Sequence, residues 1–302
     1  MSRTEALSQH PPLLVQVQGA LWMITAGLAF TLSGSAVKML STRLPPVEVA
    51  FFRSLFGLLI VVAAWRAVVE LRRIKDHAWH AVRGVLGVLS LLCMVAAFSY
   101  LPLAVVFAVF TGRIFLLIMF AAILCAERPG RIVWIASWLG IVGVAISLWP
   151  QLRTAFDDDL GLTEAGMGAM LVCGAALFSA GSQTAVRRLT ATNTPATIVL
   201  VFSVFSIVAL CAPAAWGWVP PKPGDWPVLA AVGMLAAAAQ WCTARSYARI
   251  GAARAAPVDL MQIPVSAVVG WVLFAEVPTG WGVSGALTIM AASIWVTSAR
   301  GK

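Results

Sequence analysis

The chain has 302 residues, 61% hydrophobic and 11% charged, with a net charge of +9 and a mean hydropathy of +0.91. Soluble domains carry roughly 25% charged residues, and one aqueous core could not hide this much apolar surface. A water-soluble fold is therefore excluded, and a lipid bilayer is the expected solvent.

Cutting the chain at charges and Pro/Gly clusters leaves apolar runs near the ~20 residues that a spanning helix needs. After a polar tail, residues 1–16, the first five predicted spans are Val17–Val37, Val47–Val68, Ala81–Ser99, Leu103–Cys125 and Ile132–Trp149. A polar linker, residues 151–164, contains Asp157-Asp158-Asp159 and could form a short surface helix; it lacks the alternating ligands of a calcium loop. The second five spans are Ala165–Val186, Pro195–Gly217, Pro227–Ala248, Ala255–Ala275 and Trp281–Ser298. Connections are short, above all Leu101-Pro102, so neighbouring spans form hairpins.

Charge placement sets the orientation. With the N-terminus cytoplasmic, Arg3, Arg66, Arg72, Arg73, Lys75, Arg83, Arg128, Arg131, Arg187, Arg188, Arg245, Arg249, Arg254, Arg300 and Lys302 all fall on the cytoplasmic side. The other side holds only Lys38, Arg43, Arg153 and Lys222. This is the positive-inside pattern of an inner-membrane protein with both termini cytoplasmic. The positive charge therefore reports topology and gives no reason to expect a nucleic-acid partner. Span one lacks a following small-residue cleavage site and is read as retained. The five cysteines all fall within or at the end of spans and have no C-x-x-C spacing, so they read as small hydrophobes. Neither a metal nor any other cofactor is expected.

The tetrapeptide Ala-Glu-x-Pro occurs twice, at Ala126–Pro129 and at Ala275–Pro278, 149 residues apart. Five spans per half is an odd number, so a second copy of the unit enters the membrane from the opposite face. The expected fold is an all-α integral membrane protein of ten transmembrane helices, arranged as two inverted five-helix repeats over residues 17–150 and 165–299. In this register Arg113 aligns with Gln262 and Phe115 with Pro264.

Further stretches carry a resemblance. Arg83-Gly84-Val85-Leu86-Gly87, Tyr100-Leu101-Pro102-Leu103-Ala104 and Cys125–Pro129 resemble the first-half pattern of EamA-type transporters of the drug/metabolite transporter superfamily. Ala255-Ala256-Pro257-Val258-Asp259 and Leu273–Pro278 resemble the second-half pattern. The resemblance covers nearly the whole chain and implies a carrier of small organic molecules. Alanine stands at 126 and 275, where the family usually has glycine before the glutamate.

The residues that could handle a solute are few. Arg113 lies near the middle of span four, where an arginine facing lipid costs at least ~2.5–3.5 kcal/mol. It either clamps a substrate carboxylate or phosphate or pairs with an acidic neighbour. Asp259 is the natural partner, with Gln262 one turn on; alternatively Asp259 pairs with Arg254 or Arg249. Pro264 cannot donate to the carbonyl of Leu260, which frees an acceptor beside them. Gln240 and Trp241, in span eight, are further substrate candidates, since an indole face can stack on a ring or a cation, although Trp241 could equally face lipid. Arg53 and Glu48 in span two are gate or access positions; Arg53 could instead snorkel to the surface. Glu127, Pro129, Glu276 and Pro278 read as scaffold: each carboxylate would cap the following helix, and each proline would occupy that helix's first turn.

The reading that follows is a carrier of a small amphipathic or zwitterionic metabolite, amino-acid-like, working by alternating access. A larger solute taken up by the cell, such as S-adenosylmethionine or riboflavin, is the second reading. Both a monomer and a homodimer fit this pattern. A membrane enzyme would need a metal motif or a nucleophile–base pair at membrane depth; His10, His77 and His80 all lie outside the spans. No filter motif suggests a channel.

Overall fold

The computed structural model of the protein describes residues 13–63, 74–124, 131–153, 156–157, 161–189 and 192–300. Its first half contains α1 (Leu13–Leu40), α2 (Pro46–Ala63), α3 (His77–Tyr100), α4 (Leu103–Thr111), α5 (Arg113–Leu124), α6 (Arg131–Ser147) and the short α7 (Trp149–Arg153). The second half contains α8 (Glu164–Leu189), α9 (Pro195–Trp216), α10 (Asp225–Asp259), α11 (Gln262–Phe274) and α12 (Gly280–Arg300). Between the halves, β1 (Phe156–Asp157) and β2 (Gly161–Leu162) pair antiparallel, a small hairpin where the sequence suggested a surface helix.

By length and composition, six stretches can cross a membrane: α1, α3, Leu103–Phe120 of α4 and α5, most of α8 and α9, and Asp225–Thr243 of α10. The architecture is a multi-pass helical bundle. The other expected crossings fall on α2, α6, α11 and α12, outside that set.

The inverted repeat is visible in the packing. Ser33 Oγ donates to the carbonyl of Val232 at 2.8 Å, and 149 positions on, Ser182 Oγ donates to the carbonyl of Arg83 at 3.2 Å. A side chain at Gly84 would run into the Phe205 ring, and one at Gly233, its counterpart, would run into Phe56, the counterpart of Phe205. Accordingly α1 packs on α10 as α8 packs on α3, while α2 packs on its own counterpart α9, and α6 on α12. The approximate two-fold axis therefore runs between these last two pairs. The α6–α12 seam closes through small residues: Gly143 meets Ile289, and Gly285 meets Ser147.

The ends of the bundle match in the same way. At one end, called here the Lys38 end, Arg43 pairs with Asp225 at 2.5 Å. At the opposite, Asp76 end, Thr192 Oγ1 donates to Asp76 Oδ2 at 2.5 Å. Thr192 and Asp76 are the counterparts of Arg43 and Asp225, so an ion pair at one end corresponds to a neutral-donor hydrogen bond at the other.

Two local features depart from the sequence reading. A loop was expected between spans eight and nine, yet helical backbone runs unbroken through α10 to Asp259. The chain nevertheless turns back there: Ile250 packs on Gly19, whereas Gln262 packs on Gly27, further along α1. Span four was expected to be one helix but is divided at Gly112 into α4 and α5. Nearby, the rings of Phe98 and Phe107 (5.7 Å between centroids) both close over Gly34 and help form the core between α1, α3 and α4.

Candidate functional site

The division of span four has a counterpart. α4 ends in a tight turn in which Gly112 N–H donates to the carbonyl of Val109 at 2.9 Å. α10 ends with Met261 N–H donating to the carbonyl of Val258 at 3.0 Å. Residues 109 and 112 are the repeat counterparts of 258 and 261, so both halves break a helix at the same register. Such i→i+3 turns inside a helix mark hinges or local strain, and broken helices at a repeat interface are where carriers place their ligands.

Arg113 opens α5 directly after the first break, and its guanidinium lies 4.1 Å from the centroid of the Phe110 ring. Gln262, its counterpart, opens α11 after the second break and is buried against Gly27 of α1. Asp259, the counterpart of Phe110, is the last residue of α10, and the positive charge of Arg113 acts on its carboxylate. The two breaks thus put Asp259 in the field of Arg113, with Gln262 three residues further along the chain. The backbone beside them is tightened but keeps right-handed helical angles at Gly112, Leu260 and Met261. The carbonyl of Leu260 is not left open by Pro264 as expected: Ile263 N–H, one residue earlier, donates to it at 3.0 Å. The proline is accommodated by a tightened turn.

Glu48 is fully buried in the first turn of α2 and accepts from Val219 N–H at 3.1 Å through Oε2. Arg53, one and a half turns further, lies deep in the bundle and keeps only part of its surface accessible. No ion pair joins Glu48 and Arg53 among the described residues. Gln240 and Trp241 make no hydrogen bond or ring contact with Arg113, Asp259 or Gln262 among the described residues. Both are exposed, and Trp241 packs edge-on to Trp22 at 5.4 Å beneath the guanidinium of Arg245 at 4.4 Å. They were singled out for the chemistry of the indole face, and a helix with little amphipathic asymmetry does not reveal which face looks inward.

Glu276 is held at the Lys38 end. α11 terminates in a left-handed residue, Ala275 (φ 54°), whose N–H donates to the carbonyl of Trp271 at 3.0 Å. That turn swings Glu276 over Gly270, where a side chain would collide with its carboxylate. Glu276 Oε2 accepts from Leu103 N–H at 2.8 Å and Oε1 pairs with Lys38, while Lys38 also donates to the carbonyl of Leu101 at 2.8 Å. The capped helix is therefore α4 of the other repeat, not the following helix. Pro278 is not in the first turn of α12 either. Thr279 caps that helix, accepting from Gly282 N–H at 3.1 Å, and the exposed Pro278 precedes the cap. Glu127 and Pro129 lie outside the described residues.

One residue was overlooked as a site candidate. Arg83, counted as a cytoplasmic charge, has Nη1 2.7 Å from Ser182 Oγ and its guanidinium 3.9 Å from the centroid of the Phe202 ring. The available signal was an arginine inside an apolar run, the same signal that singled out Arg113.

Sequence comparison agrees with this geometry. The EamA-like transporter family matches residues 17–149 and again residues 166–298, the two matches starting 149 positions apart. The chain belongs to the EamA-like transporter family. Among its relatives, the pseudopaline exporter of Pseudomonas aeruginosa is 31% identical, over 91% of this chain and 94% of that one. The riboflavin transporter of Vibrio cholerae is 28% identical over 96% and 94%, and the S-adenosylmethionine uptake transporter of Rickettsia prowazekii 21% over 94% of each. A crystal structure covering 99% of both chains, at 19% identity and a TM-score of 0.61, shares the fold. This EamA-like protein is a membrane transporter of small molecules and not an enzyme.

Proposed function

We propose that this transporter moves an amphipathic or zwitterionic, amino-acid-like metabolite across a bacterial inner membrane by alternating access, with both termini in the cytoplasm. The observation that supports this reading is the matched pair of helix breaks, beside which Arg113, Asp259 and Gln262 stand. A guanidinium there binds a carboxylate through two parallel hydrogen bonds, and Asp259 and Gln262 offer acceptors to an ammonium group. Arg53 and Glu48 serve as access positions, and Glu276 as scaffold between the repeats. In this orientation the Lys38 end faces the periplasm.

The test is uptake of labelled amino acids into proteoliposomes containing the purified protein. Saturable flux that falls at least about tenfold in Arg113→Ala, with the fold retained, is expected. Saturable flux unchanged in that variant removes Arg113 from the site. Relatives that transport riboflavin or take up S-adenosylmethionine support the second reading, a larger solute; saturable flux of one of these with no amino-acid flux would favour it.

A further inference from the structure

Arginine appears at three depths in the bundle. At ~1.5 Å per residue, Arg53 lies about 10 Å into α2 from the Lys38 end, and Arg113 about 15 Å from the same end along α4 and α5. Arg83 lies about 9 Å into α3 from the Asp76 end. A long side chain on a helix ordinarily leans back toward the helix N-terminus, which for Arg83 would take the charge out to the Asp76-end interface. It does the opposite. Its Nη1 occupies the space that a side chain at Gly87 would fill, one turn deeper. Ser182 fixes that nitrogen and the Phe202 ring supports the plane, while Nε is buried with no hydrogen-bond partner. The guanidinium is thus seated and oriented but only partly satisfied.

The repeat register adds an independent observation. The counterpart of Phe202 is Arg53, and the counterpart of Arg83 is Val232, whose carbonyl accepts from Ser33 as that of Arg83 accepts from Ser182. The same seam, formed once between α3 and α9 and again between α10 and α2, therefore carries one guanidinium in each copy, although both arginines belong to the first repeat. It comes from opposite helices of the seam and lies toward opposite ends of the bundle. Five carboxylates are engaged elsewhere: Asp225 pairs with Arg43, Glu276 with Lys38, Asp76 accepts from Thr192, Glu48 accepts from Val219 N–H through Oε2 while its buried Oε1 has no hydrogen-bond partner, and Asp259 lies in the field of Arg113. Among the described residues no carboxylate pairs with Arg53 or Arg83. Buried charges need partners, and a guanidinium fork suits oxyanions.

We infer that Arg53 and Arg83 are two symmetry-related anion subsites flanking Arg113, so that the carried solute bears more carboxylate or phosphate groups than cationic ones. This rests on the carrier reading above and narrows its substrate class.

The experiment measures the thermal stability of the full-length protein in detergent against succinate, inorganic phosphate and the neutral isostere succinamide, since a ligand of the native state raises apparent stability by mass action. Protection by succinate or phosphate, and none by succinamide, is expected, and whichever anion protects more identifies a carboxylate or a phosphate as the favoured group. Arg83→Gln and Arg53→Gln should each weaken the apparent affinity about tenfold or more. Arg83→Lys should recover part of it, and Gly87→Ala should weaken it by displacing the guanidinium without removing the charge. Equal protection by succinamide overturns the inference on the wild-type protein alone, whether or not any variant folds. Unchanged anion affinity in both folded glutamine variants overturns it as well. Saturable transport of a neutral solute that needs Arg113 but neither Arg53 nor Arg83 sinks the anion subsites and leaves the carrier reading standing. Absence of saturable transport for every solute sinks the carrier reading itself.

Discussion

The Lys38–Glu276 pair should be energetically coupled, because each partner also satisfies a backbone group of the α3–α4 hairpin. Both side chains are mostly buried, 20% and 17% exposed. Exposed pairs contribute about 0.2–1 kcal/mol, whereas removing one partner of a fully buried pair costs about 3–5 kcal/mol. Lys38→Met strands the Glu276 carboxylate with one N–H donor and should cost about 2–3 kcal/mol, between these limits. Glu276→Gln keeps an acceptor for Leu103 but leaves the ammonium with the Leu101 carbonyl and the Phe274 ring, 5.5 Å away. Its cost should be similar. The double variant buries no charge at this place and should be more stable than the two losses summed, by about 2 kcal/mol of coupling. Equilibrium unfolding of the four proteins in mixed detergent–SDS micelles measures this. Losses that add to within about 0.5 kcal/mol would refute the claim that the two act as one unit.

Three further outcomes follow from particular positions. Ala275 adopts a left-handed conformation that costs an L-residue roughly 1–2 kcal/mol, so Ala275→Gly should stabilise by about 1 kcal/mol, read as a higher melting temperature; a drop would show that the turn is unstrained. At Gly84 an added methyl meets the Phe205 ring edge, 2.6 Å away, whereas at Gly233 it meets Phe56 Cβ at 2.6 Å and the Arg53 carbonyl at 2.9 Å. Overpacking costs typically 1–3 kcal/mol, and Gly233→Ala should be the more damaging of the two in thermal unfolding because backbone cannot rotate away. Thr192→Arg should create at Asp76 the ion pair that its counterpart already has, raising stability by about 0.3–1 kcal/mol at low salt and losing that gain near 1 M salt; an identical gain at both salt concentrations would exclude a charge effect.

Much of the architecture was readable in the chain because it rests on quantities that sequence carries directly: run length, charge at run ends, and one tetrapeptide found twice. The 149-residue register taken from Ala-Glu-x-Pro turned out to relate hydrogen bonds as distant from it as those of Ser33 and Ser182. The helix breaks were less legible. Nothing in Phe110-Thr111-Gly112 interrupts the apolar run, and Pro264 marks the second break a few residues late because Ile263 takes up the bond that the proline cannot make. The partner of Glu276 was misassigned to the next helix, since a contact between Glu276 and Leu103 spans the two repeats and leaves no local signature. Arg83 was set aside because its position near a span boundary fits an interface charge, and only the direction of its side chain toward Gly87 shows otherwise.

The contacts of α2 with α9 and of α6 with α12 join each element to its own repeat image, the relation that defines an isologous interface between two identical subunits. This chain therefore has the internal layout of an antiparallel homodimer carried on one polypeptide. In a true homodimer every substitution appears twice, once at each end of the bundle, so neither end can change alone. Joining the halves removes that constraint. It allows Arg43 to face Asp225 at one end while its image remains a threonine at the other, and it leaves the two ends of one pseudo-symmetric bundle chemically different.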